Sequence, residues 1–178
     1  ILGAAQAGHI AAVGYDMFLK LMEHTITEMK GETRTAELEP EINLSISAFI
    51  PERYIPDIDQ RLAVYRRLSK IADKSELNDL RTELADRFGP PPQETRNLIH
   101  KIVLKMLARK NGIQKLDLRG MDLALDFSAP HVPNPDALAR LVQDRRYAPL
   151  KLTPDGRLLK KFNSSRPSAA LHLAVKFL

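Results

Sequence analysis

The sequence predicts an α+β fold: a small mixed or antiparallel sheet packed with several helices and preceded by a helical N-terminal extension. Two observations lead to this prediction. Apolar residues recur at every second position over residues 37–49 and 121–127, which is the period of a half-buried strand. They recur at every third or fourth position over residues 58–111, which is the period of an amphipathic helix. Strands and helices do not alternate strictly, which favours α+β over a series of βαβ units.

The N-terminal part of the chain is predicted to be a separate helical segment. Residues 7–30 show a helical pattern, and Gly31 is placed where glycine often ends a helix. The polar stretch ETRTAE at residues 32–37 follows as a linker. We therefore expect a helical extension over residues 1–34 and one α+β domain over residues 35–178.

The first strand is predicted in ELEPEINLSISAF, residues 37–49, where apolar and polar side chains alternate. Pro40 has no backbone N–H and cannot complete a ladder of hydrogen bonds on both sides. This part of the strand is therefore expected at a sheet edge or at a bulge.

Three helices are predicted after the first strand. Asp57 can cap the first helix, and Ser75 can cap the second. Phe88 continues the apolar stripe of the second helix, so we expect its ring in the core between the second and third helices. The third helix should start after prolines 90–92 and end before Gly112.

The C-terminal part is predicted to contain two hairpins and two helices. Two strands flank a turn at Arg119–Gly120, and the turn sequence at residues 154–156 joins two more. Between the hairpins, Asn134 can cap a helix whose first residue is Pro135. A last helix follows the second hairpin.

Motifs for catalysis and for metal binding are absent from the sequence. There is no phosphate-binding loop, no serine nucleophile elbow and no HExxH pair among the five scattered histidines. We expect no catalytic residue, no metal and no cofactor in this chain, which favours a binding or regulatory module over an enzyme. The absence of cysteine fits a cytoplasmic location, and no apolar run approaches the roughly 20 residues that span a bilayer.

Charge is distributed unevenly along the chain. Residues 140–178 contain nine lysine and arginine residues and only two acidic residues. A basic end of this kind suggests binding to a polyanion or to an acidic protein surface, and a solvated face is the alternative. Direct nucleic-acid binding through this basic C-terminal part is therefore one functional hypothesis, although aromatic stacking residues are few.

The end of the second predicted helix is the other candidate site. The helix stops at Phe88 and Gly89, and three prolines prevent its continuation. Glu83 and Asp86, three residues apart, are neighbours on the helix surface and repel each other. A partner with arginines would relieve that repulsion, so we take Glu83, Asp86 and Arg87 as candidate partner-binding residues. The alternative is a solvated face on which Arg87 pairs with Glu83 at i,i+4.

Three stretches of the sequence resemble one known family. YIPDIDQRLAVYRRL at residues 54–68 and ELADRFGPPP at residues 83–92 are similar to the C-terminal part of bacterial transcription-repair coupling factors. The opening, ILGAAQAGHIAAVGYDMFLKLM, resembles the end of the translocation motif that this family shares with helicases of the RecG type. Gly3, Gln6 and Gly8 are read as a remnant of that motif, although the neighbours of Gln6 depart from the family pattern.

The resemblance implies a function for the parent protein. Members of the family are ATP-driven translocases on double-stranded DNA that push RNA polymerase off a lesion and recruit the excision-repair protein UvrA. Their C-terminal domain is implied to fold back on a UvrB-like module of the same chain and to hide the UvrA-binding surface. Glu83, Asp86 and Arg87 would then contact that module, and no membrane partner is expected.

Overall fold

The protein is described here from a computed structural model, which describes residues 38–164 and 166–178. The predicted extension over residues 1–34, including Gly3, Gln6 and Gly8, lies outside the described residues. Within the described residues there are five α-helices and five strands: β1 (Glu41–Leu44), α1 (Ile58–Lys70), α2 (Lys74–Phe88), α3 (Gln93–Lys110), β2 (Ile113–Arg119), β3 (Asp122–Phe127), α4 (Pro135–Gln143), β4 (Leu150–Leu152), β5 (Leu158–Lys161) and α5 (Pro167–Phe177).

The described residues form two compact units. The first unit contains residues 48–98, with α1, α2 and the start of α3. The second unit contains residues 38–47 and 99–178, with all five strands, the rest of α3, α4 and α5. Helices and a mixed sheet are both present and do not alternate strictly, so the predicted α+β class is confirmed.

The two helices of the first unit begin at aspartate caps. The Asp57 side chain accepts a hydrogen bond from the Gln60 backbone N–H at 2.8 Å, as the sequence predicts. The predicted cap at Ser75 is wrong, because α2 begins at Lys74 and its cap is Asp73, two residues before Ser75. Asp73 accepts from the Glu76 backbone N–H at 2.9 Å. Aspartate followed three residues later by glutamate is the sequence signal that identifies this start.

The core of the first unit is built by the apolar stripes of its helices. Two tyrosines join this core and use their hydroxyl groups inside it, because a buried hydroxyl needs a hydrogen-bond partner. The Tyr65 hydroxyl accepts from the Ile50 backbone N–H at 2.8 Å. The buried apolar residues of the unit are Ile50, Tyr54, Ile55, Leu62, Val64, Tyr65, Leu68, Leu77, Leu80, Leu84 and Leu98.

The sheet of the second unit has the strand order β1-β2-β3-β5-β4. β1 pairs with β2 in parallel, and every other pair is antiparallel. β1 is an edge strand that starts directly after Pro40, in agreement with the predicted edge position. It is shorter than the predicted strand over residues 37–49, because it ends at Leu44, after which the chain bends at residues 45 and 46.

One face of the sheet packs against helices. Both predicted hairpins form, and Asn134 caps α4 by accepting from the Asp136 backbone N–H. Side chains of α3 and α5 share one apolar core with the strands, and parts of α4 border it. The buried members of this core are Ile42, Leu104, Ala108, Ile113, Leu116, Leu118, Leu123, Leu125, Leu150, Leu158, Phe162, Ala170, Leu171 and Ala174.

Candidate functional site

The surface at the end of α2 is positioned by the buried stripe of that helix. Leu77, Leu80 and Leu84 are almost completely buried, so the residues between them point away from the core. Arg87 and Asp86 are exposed, and Glu83 is half-buried. We call Glu83, Asp86 and Arg87 the α2 terminus; all three predicted residues lie together on the outer side of the helix.

The end of α2 is held by a glycine cap and by a tyrosine from outside the helix. Gly89 has a φ of 80° and donates its N–H to the Ala85 carbonyl oxygen at 2.9 Å. The Tyr54 hydroxyl lies 3.1 Å from the Leu84 carbonyl oxygen and 3.0 Å from that of Gly89. The Gly89 N–H satisfies one carbonyl group of the last helical turn, and the Tyr54 hydroxyl binds one carbonyl group inside the helix and one just beyond its end, so the α2 terminus has a defined orientation.

Phe88 is half-buried, so its predicted place inside the core is wrong. Its ring packs edge-to-face on Tyr54, with the two centroids 6.0 Å apart. The Arg87 guanidinium lies over the Phe88 ring, 4.9 Å from its centroid. The Phe88 ring therefore contacts both the Arg87 guanidinium and the Tyr54 ring.

Glu83 is paired within the first unit. One carboxylate oxygen accepts from Arg87 at 2.9 Å, and the other lies 2.7 Å from an Arg67 nitrogen on α1. Hydrogen bonds from Arg67 and Arg87 hold the pKa of Glu83 below its usual value. Arg87 also donates to the Gln60 side-chain oxygen at 3.2 Å. The i,i+4 pair between Glu83 and Arg87, the alternative that the sequence offers, is present, and it is part of a wider network.

Asp86 differs from Glu83 in its surroundings. It is exposed, and within residues 38–164 and 166–178 it has no ion pair or side-chain hydrogen bond. Of the two predicted acids, Asp86 is therefore the one whose charge is directed to solvent.

Arg67 belongs to this network but was not predicted from the sequence. It lies in the last turn of α1, and its side chain reaches the last turns of α2. No local spacing rule connects Arg67 with Glu83, because the contact depends on how α1 and α2 pack. The complementary charges on two consecutive helices are the one signal that could have suggested it.

Several cations of the basic C-terminal part are bound within the second unit. Arg157 makes two hydrogen bonds to the Asp126 carboxylate, at 2.7 and 2.6 Å, and holds the pKa of Asp126 below its usual value. Arg146 pairs with Asp144 at 2.6 Å. Lys160 donates to two backbone carbonyl oxygens, and burial lowers its pKa. These three side chains are less available to a polyanion than the charge count of the sequence suggests.

Among the described residues, no group of three or more histidine, aspartate or glutamate side chains is arranged to hold a metal ion. None of the helices in residues 38–164 and 166–178 is long and apolar enough to cross a membrane.

Comparisons with known proteins find one family that is similar to this chain. The family model described as "TRCF domain" matches residues 44–138. A transcription-repair-coupling factor of Myxococcus xanthus is 35% identical over 161 residues, which are 90% of this chain and 13% of that protein. The factor of Haemophilus influenzae is 31% identical over 168 residues, 91% of this chain and 14% of that protein. The chain thus spans about an eighth of the length of these relatives.

A solved structure has a similar fold. It is described as "Crystal structure of C-terminal domain of transcription-repair coupling factor", and it aligns with a TM-score of 0.60 over 78% of this chain and 92% of its own. The sequence identity of 17% means that this likeness concerns the fold alone.

Proposed function

Because the chain belongs to the TRCF domain family, we propose that it is a non-catalytic regulatory domain of a protein that couples transcription to DNA repair. The observation that supports this proposal most is the family match over residues 44–138, which includes α1, α2 and the whole α2 terminus. The fold, which is similar to that of a C-terminal domain from the same kind of protein, adds support.

In this proposal the domain works by contact inside a larger protein. The parent is an ATP-driven translocase on double-stranded DNA that displaces RNA polymerase, and this chain contributes no ATPase site. In the resting parent the domain binds a UvrB-like module of the same protein and masks the surface that UvrA would bind. The domain is thus autoinhibitory, and UvrA, RNA polymerase and DNA are partners of the parent.

The α2 terminus is the proposed contact surface. Asp86 presents a charge with no partner among the described residues, and Arg87 presents a guanidinium that is half-exposed and supported by Phe88. A partner with a guanidinium and a carboxylate at matching positions would form charge-assisted hydrogen bonds with both. Glu83 would act mainly by orienting Arg87, because both of its oxygens already accept from arginines.

The test is a binding titration between this chain and the UvrB-like module of the same parent. We expect Asp86→Lys to raise the dissociation constant at least about tenfold, which corresponds to roughly 1.4 kcal/mol. Asp122→Lys is the matched control, because Asp122 is an exposed acid of the second unit. In the full-length parent, Asp86→Lys should raise the affinity for UvrA measured without RNA polymerase. If Asp86→Lys leaves the dissociation constant unchanged, the α2 terminus is not part of the contact surface.

Direct nucleic-acid binding is the competing function. Lys151 and Lys161 are exposed, and the register of β4 and β5 places them diagonally on one face of the sheet. This hypothesis predicts binding of the chain to double-stranded DNA that weakens steeply as salt rises. If no binding is detected at low salt, the basic part is a solvated face.

A further inference from the structure

One carboxylate of the α2 terminus is shared with an arginine from another helix. Arg67 lies in the last turn of α1, and one of its guanidinium nitrogens is 2.7 Å from a carboxylate oxygen of Glu83 on α2. The other oxygen of Glu83 accepts from Arg87 at 2.9 Å. Hydrogen bonds from Arg67 and then from Arg87 hold the pKa of Glu83 below its usual value, so the group that the two arginines share is a carboxylate at neutral pH.

The two arginines on Glu83 are held in different ways. The Arg87 guanidinium also donates to the Gln60 side-chain oxygen at 3.2 Å and lies over the Phe88 ring, so three groups hold it. Arg67 has no other ion pair or side-chain hydrogen bond within residues 38–164 and 166–178, and its side chain is 51% exposed. A cation that arrives from solvent would therefore displace Arg67 from Glu83 more easily than Arg87.

The oxygen that Arg67 occupies lies on the same side of the helix as Asp86. Glu83 is half-buried and Asp86 is exposed, and residues three apart on a helix have Cβ atoms about 5–6 Å from each other. A guanidinium has five N–H donors, so one partner arginine on Asp86 can also reach Glu83. While Arg67 is bound there, it takes up the oxygen and repels the incoming cation.

We propose that Arg67 is an intramolecular competitor of the partner: it occupies one oxygen of Glu83 and thereby weakens the binding of a partner arginine to the α2 terminus. This inference rests on the function proposed above, in which the α2 terminus is the contact surface. When the partner binds, its guanidinium replaces Arg67 on Glu83, while Arg87 keeps the other oxygen. Arg67 thus limits how tightly the domain holds the UvrB-like module, although it lies outside the α2 terminus.

The competition is tested by titrating Arg67→Gln in the whole chain with the UvrB-like module at low salt, where screening is weakest. The contribution of an exposed ion pair corresponds to a factor of about 1.4 to 5 in a dissociation constant. We therefore expect Arg67→Gln to bind the module more tightly by a factor in this range. Arg66→Gln is the matched control, because Arg66 is the exposed neighbour of Arg67 on α1 and has no side-chain partner among the described residues. It removes the same charge without freeing Glu83.

A double-mutant cycle separates competition from the general loss of a positive charge. In the Glu83→Gln background, Arg67→Gln should change the dissociation constant no more than Arg66→Gln does, because no carboxylate is freed. Urea unfolding should show that Arg67→Gln is slightly less stable than the wild type, although it binds more tightly. A loss of folded protein would weaken binding and so cannot imitate this result.

Measuring Asp86→Lys in the same series distinguishes a failure of the competition from a failure of the contact surface. If Asp86→Lys weakens binding but Arg67→Gln does not tighten it, or if Arg66→Gln tightens it equally, the competition is overturned and the proposed function stands. If the module does not bind, or if Asp86→Lys leaves the dissociation constant unchanged, the contact surface is wrong and the competition is overturned with it.

Discussion

Reversing the charge of Glu83 should destabilise the protein, whereas the same change at Asp86 should not. Lysine at position 83 would replace the carboxylate that joins Arg67 to Arg87. Two ion pairs would be lost, and three cations would lie close together. Lysine at position 86 would break no pair among the described residues, because Asp86 points to solvent.

The expected magnitude follows from the exposure of the three side chains. Arg67 and Arg87 are 51% and 50% exposed and Glu83 is 33% exposed, so solvent screens both pairs. Exposed pairs contribute roughly 0.2–1 kcal/mol each, and like charges at i,i+4 cost about 0.2–0.5 kcal/mol. We therefore expect Glu83→Lys to lower the free energy of unfolding by about 1–2 kcal/mol. Asp86→Lys should stay within about 0.5 kcal/mol of the wild type.

Urea unfolding followed by circular dichroism measures both values under the same conditions. Glu83→Gln removes the charge without adding a cation and should fall between the wild type and Glu83→Lys. The difference between Glu83→Lys and the wild type should shrink as salt rises, because screening weakens both attraction and repulsion. The interpretation of the α2 terminus requires that Glu83 is paired within the fold and that Asp86 is not. Equal stabilities of Glu83→Lys and Asp86→Lys would refute it.

Three further predictions test other parts of the fold. Gly112→Ala should cost at least about 2 kcal/mol in the same urea assay, because Gly112 has a φ of 68° and a Cβ there would collide with the side chain of His131. Gly120→Ala is its control: the φ is 60°, but a Cβ there would have no atom within 4 Å apart from those of its chain neighbours, so only the smaller backbone cost is expected. Phe88→Ala should cost about 2 kcal/mol, below the roughly 3–5 kcal/mol of a fully buried phenylalanine, and a larger loss in urea unfolding would contradict its half-buried position. Asp126→Asn should lower the free energy of unfolding by about 1 kcal/mol at pH 7. Because Arg157 lowers the pKa of Asp126, the stabilisation by the Asp126 carboxylate is present above the unfolded pKa of about 3.9 and is lost as pH falls through the folded pKa. The acid-unfolding curves of the variant and the wild type should therefore converge at low pH.

Local signals in the sequence were sufficient for most elements of the fold. These signals act over a few residues, so they can be read from the sequence alone. They are the strand and helix periods, the prolines at 90–92 and the caps at Asp57 and Asn134. The misplaced cap of α2 shows where a local rule is ambiguous. Ser75 and Asp73 are both good caps, and the pairing of Asp73 with Glu76 decides between them.

Contacts between elements depended on the tertiary structure. The parallel pairing of β1 with β2 brings together segments separated by three helices, and no local spacing encodes such a pair. The half-buried position of Phe88 is set by the ring of Tyr54, which comes from a loop before α1. In each case the deciding neighbour is remote in sequence.

The candidate site divides in the same way. The sequence by itself determined that Glu83, Asp86 and Arg87 share the outer side of one helix end, because helical spacing and the proline stop are local properties. Only the tertiary structure decided that Arg67 binds one carboxylate oxygen of Glu83 while Asp86 faces solvent. The physical reason is that long-range packing, which creates these contacts, is the sum of many weak apolar interactions that no short motif records.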